Sequence, residues 1–204
     1  MIVHPTGHRG VMSQQEMATM ALLTRAVHGF AIASLPIAFL GALALTRQLG
    51  SPDRLSVLAL VVYGFGAVAV MMAATMSGLV FPSVMQQLVA GDPLTETRRL
   101  FLDYTFRLNQ AFASVFVVAS CAAILLWSVG ILRTKRLSAG LGIYGLVQGL
   151  AITVALFIGR LPLDVHGFGL VILTQAVWFI IAGVMLRRCP ELPSDTARAT
   201  NVGL

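Results

Sequence analysis

The sequence predicts an all-α polytopic integral membrane protein, with five transmembrane helices in one bundle. Three observations carry this. Asp, Glu, Lys and Arg are absent between Arg25 and Arg47, Arg54 and Asp92, Arg107 and Arg133, Arg136 and Arg160, and Asp164 and Arg187. Each gap exceeds the ~20 residues of helix that cross a bilayer's hydrocarbon core. The composition is 57% hydrophobic and 11% charged, with a mean hydropathy of +0.87, whereas soluble domains carry roughly 25% charge. The apolar runs are also unbroken, which excludes the short alternating segments of a β-barrel. Helices suit such runs because they satisfy their own backbone hydrogen bonds in lipid.

Residues 1–20 are mixed in character and read as a flexible N-terminal segment. Met12-Ser13-Gln14-Gln15 has the look of an alternative start, which would place residues 1–11 outside the native product. The transmembrane bundle is expected over 21–188. Its first helix covers about 22–45 and contains Pro36, which kinks a helix in lipid without forbidding it. Ala42-Leu43-Ala44 resembles a signal-peptidase site, but the apolar run before it is too long for a signal peptide.

The second helix covers about 55–81, with Phe81-Pro82-Ser83 marking its exit and Val84 to Val89 forming an interfacial extension. Asp92-Pro93 is a turn signal. An amphipathic segment on the membrane surface is expected over 93–108. There Leu100, Phe101, Tyr104 and Leu108 share one face, and Arg99–Asp103 and Asp103–Arg107 form i,i+4 pairs.

The third, fourth and fifth helices cover about 109–132, 138–158 and 166–186. The turns Arg133-Thr134-Lys135-Arg136 and Arg160-Leu161-Pro162-Leu163-Asp164 are short, so these three helices are consecutive antiparallel neighbours. Residues 189–204 read as a disordered tail. Five spans in 204 residues leave no room for a soluble domain.

An odd number of spans puts the termini on opposite sides. The N-terminal side collects Arg9, Arg25, Arg98, Arg99, Arg107 and Arg160; the other collects eight basic residues, including the acid-free cluster Arg133, Lys135 and Arg136 in a short loop. The positive-inside rule therefore predicts an outer N-terminus and a cytoplasmic C-terminus in an inner membrane. The formal charge of +6 sits at helix ends, which excludes nucleic acid as the expected partner. Cys121 and Cys189 show no CxxC or zinc spacing and read as free thiols.

Candidate chemistry is sparse. His28-Gly29-Phe30 and His166-Gly167-Phe168 repeat near the starts of the first and fifth helices, which are parallel in a five-span topology. If these helices pack together, His28 and His166 form an imidazole pair of the kind that ligates haem or a transition metal. Near a helix start, histidine also sits close to water at little cost. Met71, Met72 and Met76 form a thioether cluster of the kind that binds Cu(I), and methionine is equally an ordinary gap-filler. No cofactor is the first expectation, with haem or copper as the alternatives.

Gly66, Ala69, Ala73 and Ser77 make a seam of small residues in the second helix. Gly142, Gly145 and Gly149 make another in the fourth. Such seams let membrane helices approach closely, within a bundle or between subunits. Gln148 and Gln175 are the main polar groups inside the membrane, placed to hydrogen-bond across the hairpin of the fourth and fifth helices. HExxH, GxSxG and P-loop signatures are absent.

The run from Gln175-Ala176-Val177-Trp178 through Gly183-Val184-Met185-Leu186-Arg187-Arg188 resembles small bacterial multi-pass membrane proteins of domain-of-unknown-function families. That resemblance implies an inner-membrane location and brings no activity with it. The sequence expectation is a non-catalytic scaffold or accessory subunit, as a homo-oligomer or within a larger membrane complex. A haem- or metal-binding redox protein and an oligomeric small-solute permease are the alternatives.

Overall fold

The structure is a computed structural model that describes residues 14–50, 54–84 and 96–188. It is all-helical over those residues. Five helices follow one another: α1 (Gln14–Leu49), α2 (Arg54–Val84), α3 (Glu96–Thr134), α4 (Ala139–Phe157) and α5 (Val165–Arg188). All five are long and apolar enough to cross a membrane. The first residues of the chain, the extension over 85–89, the turn at Asp92-Pro93, Cys189 and the tail lie outside the described residues.

Two helices are longer than the sequence suggests. α1 is already helical at Gln14. α3 is one continuous helix of 39 residues, about 58 Å at 1.5 Å per residue. The surface segment expected over 93–108 is thus not separate from 96 onward: it is the first turns of α3. The Asp103–Arg107 pair, at 2.7 Å, supports the helix there. Leu100, Phe101 and Tyr104 point outward from the bundle, and buried Thr105 points inward.

α3 is the central helix. In its most apolar stretch 56% of residues are buried, against 17–28% in the other four. It packs chiefly on α2 and α4. Small residues make both contacts close. A Cβ at Gly66 would come within 3.0 Å of the Ala119 methyl on α3, and one at Gly142 within 2.8 Å of Leu132 Cγ. The two small-residue seams therefore face α3 inside the bundle, with Ala69 and Ala73 buried beside Gly66.

The tightest packing lies at the end holding the C-terminus of α1. Tyr63, Trp127, Trp178 and Phe179 meet there with ring centroids 5.2–6.2 Å apart. Both indoles are satisfied, Trp127 Nε1 donating to Thr46 Oγ1 at 3.1 Å and Trp178 Nε1 to the Leu141 carbonyl at 3.1 Å. Arg136 in the α3–α4 turn donates to the Gln48 carbonyl at 2.8 Å and so caps α1. At the other end Asp164 caps α5, its Oδ1 accepting from the backbone of His166 and Gly167 at 3.0 and 2.8 Å.

α2 contains a π-helical turn over Met76–Val80, in which the Phe81 amide reaches back to the Met76 carbonyl. The proline two residues beyond the turn explains it. Pro82 has no N–H to offer, and its ring would collide with the carbonyl four residues earlier. Widening the helix by one residue accommodates both.

Candidate functional site

α1 is fastened at its two ends and stands off between them. Ala42, Leu45, Thr46 and Leu49 are buried near its C-terminus, and Ala21 and His28 near its N-terminus. From residue 29 to residue 41 no side chain is buried. Pro36 lies in the middle of this stretch. The result is a groove of about 1820 Å³ enclosed by α1, α2, the first half of α3, and α5. It follows α5 from Pro162 to Leu186, about 30 Å along the helix axis, and α4 contributes nothing to it.

Most of the lining is aliphatic or aromatic. Most of the polar groups gather at one end, while Ser34, Gln175 and Tyr63 lie farther along the groove. Thr24 and His28 come from the start of α1, Ser77 from the π turn, Thr105, Asn109 and Gln110 from the start of α3, and Asp164 from the α4–α5 loop. Chain direction puts all of these at the same end of the bundle. Among the described residues, no Lys or Arg lines the groove.

The π turn positions this polar end. It brings Gly78 beneath His28 so closely that a Cβ there would lie 2.7 Å from His28 Cγ. His28 Nδ1 lies 2.8 Å from the Thr24 carbonyl. A carbonyl only accepts, so Nδ1 carries a proton, and in the neutral ring Nε2 is left as an acceptor. Next to Gly78, Ser77 Oγ donates to Asn109 Oδ1 at 2.9 Å and ties α2 to α3. Arg25 donates to Ser83 Oγ at 3.2 Å and fastens α1 on the same side. Replacing Gly78 by leucine is expected to push His28 off α2. At roughly 1–3 kcal/mol for overpacking, the melting temperature of the detergent-purified protein should fall by several degrees.

The two His-Gly-Phe repeats have different surroundings. His28 is buried and lines the groove, whereas His166 is exposed and is not among the lining residues. The structure therefore does not bring the two imidazoles into one pocket. Among the described residues no group of three or more His, Cys, Asp or Glu is placed to hold a metal ion. Met71 and Met72 are exposed on the outside of α2, while Met76 faces the groove.

Gln148 and Gln175 are both buried, and they do not meet. Gln175 Nε2 turns to α3, 2.8 Å from Ser120 Oγ and 3.6 Å from Cys121 Sγ. The Gln148 amide has no hydrogen-bond partner. The α4–α5 hydrogen bonds are made instead by Tyr144, whose hydroxyl donates to the Thr174 carbonyl at 3.0 Å, and by Trp178 Nε1 to the Leu141 carbonyl.

Sequence reasoning did not single out Asn109, Gln110 or Gly78. Asn109-Gln110 carried a readable signal, two adjacent amides at the head of an apolar run. Gly78 carried none, because its role depends on the π turn.

Fold and site together define a five-helix polytopic membrane protein with a side groove that is polar at one end. Compared with family models, with curated proteins and with solved structures, the chain matches none.

Proposed function

We propose that the protein is a non-catalytic membrane subunit that takes a lipid-like amphiphile from the bilayer into the groove between α1 and α5. The observation that carries this reading is the shape of the groove, long, apolar and polar at one end. At about 1820 Å³ it exceeds the ~300–1,000 Å³ of ordinary small-molecule pockets. A long, mostly apolar lining of this kind suits flexible hydrocarbon. In the inner-membrane orientation argued from loop charges, the polar end lies at the outer leaflet.

Filling the groove tests the proposal. Gly169 lines it, and a Cβ there would meet nothing within 4 Å. Gly169→Phe is therefore expected to leave folding intact and to displace the occupant. Native mass spectrometry of the detergent-extracted protein should show a hydrophobic adduct on the wild type and none on the variant. Equal adducts on both, or none on the wild type after gentle extraction, would contradict the proposal.

A further inference from the structure

We infer that the groove selects an uncharged amphiphile whose head carries a hydroxyl group, recognised by His28 on one side and by Asn109 and Gln110 on the other. This rests on the groove being a ligand site and adds the chemistry of its ligand.

The argument is one of unused hydrogen-bonding groups. His28 Nδ1 is committed to the Thr24 carbonyl. Asn109 Oδ1 is committed to Ser77, and Thr105 Oγ1 to the carbonyl of Phe101. Among the described residues, the polar groups without a hydrogen-bond partner at this end of the groove include His28 Nε2, the Thr24 hydroxyl, the Asn109 amide nitrogen and the Gln110 side chain. A neutral imidazole Nε2 accepts, and an amide nitrogen donates. A hydroxyl is the small group that answers both at once. It gives its proton to Nε2 and receives one from an amide.

Charge selects in the same direction. Phosphate and carboxylate heads call for Lys, Arg or clustered backbone N–H groups, and among the described residues no Lys or Arg lines the groove. Among the described residues its one acidic group is Asp164, whose Oδ1 takes two backbone N–H groups at the start of α5. An anionic head would be drawn from water into an apolar site without a counter-charge, which is costly. An ammonium head would find one carboxylate, Asp164, which is exposed to solvent and holds the start of α5 through Oδ1.

The test compares heads on one chain. Photoreactive sixteen-carbon probes ending in an alcohol, a carboxylate, a phosphate or an amine are crosslinked to the purified protein at matched concentration. The alcohol is expected to label the wild type at least about fivefold more than the others, the worth of one net hydrogen bond. His28→Leu and Asn109→Leu should each bring alcohol labelling down to the level of the carboxylate. His28→Gln keeps an acceptor and should retain the preference, which separates a lost hydrogen bond from lost folding. Gly169→Phe should block every probe. If a charged probe labels as well as the alcohol and is blocked by Gly169→Phe, the head assignment fails while the groove remains a ligand site. If no probe labels, or labelling survives Gly169→Phe, the ligand reading itself fails.

Discussion

Leucine at position 145 is expected to break the bundle. A Cβ on Gly145 would overlap Ser128 Oγ, and would lie 2.5 Å from Trp178 Nε1 and 3.2 Å from Ile124 Cγ2. These atoms belong to α3 and α5, so three helices converge on one absent side chain. Trp178 and Ser128 are fully buried, and Trp178 is held by its bond to Leu141. Neither has room to move aside. Overpacking a core costs roughly 1–3 kcal/mol where neighbours can shift, and Gly145→Leu should exceed that range. Size-exclusion profiles should show aggregated or absent protein. The control is the same substitution facing the groove. Gly169 and Gly183 meet nothing within 4 Å, and Gly169→Leu and Gly183→Leu should give folded, monodisperse protein.

The second large effect is expected at Trp127. Its ring lies 5.6 Å from Tyr63, 6.2 Å from Trp178 and 6.0 Å from Phe179, centroid to centroid. Its Nε1 reaches Thr46 on α1. One side chain of α3 thus joins α1, α2 and α5. Removing a buried Trp costs ~3–5 kcal/mol in soluble cores. Lipid offers little gain from hiding apolar area, but lost packing contacts still count. Trp127→Ala should therefore cost roughly 3 kcal/mol and release the C-terminal end of α1. Trp127→Phe keeps a ring and loses only the donor, so it should cost about 1 kcal/mol. Thermal unfolding of both variants, with limited proteolysis near Gly50, checks the order.

The five spans were legible because charge is expensive in hydrocarbon, and its absence marks each crossing. Their ends were less so. Asn109-Gln110 looked like a boundary, yet a helix passes through such a pair when the bundle offers partners, here Ser77. Pro82 marked an exit, and the structure turns the same constraint into a π turn before it. The groove was not legible at all. Residues 29–41 are mostly apolar, and in a membrane an apolar residue reads the same facing lipid, a neighbouring helix or a ligand. The histidines were picked out by a repeated tripeptide. Only one of them, His28, proved to be at the groove, where α1 packs on the π turn at Gly78.

The account stands or falls on what occupies the space between α1 and α5. A structure of the protein solved in a lipid disc measures this directly. The account predicts an elongated density running along α5 from Pro162 to Leu186, with its compact end against His28 and Asn109. A structure with α1 drawn onto α5, burying Ala31, Leu35 and Ala38 and leaving no groove, would contradict it.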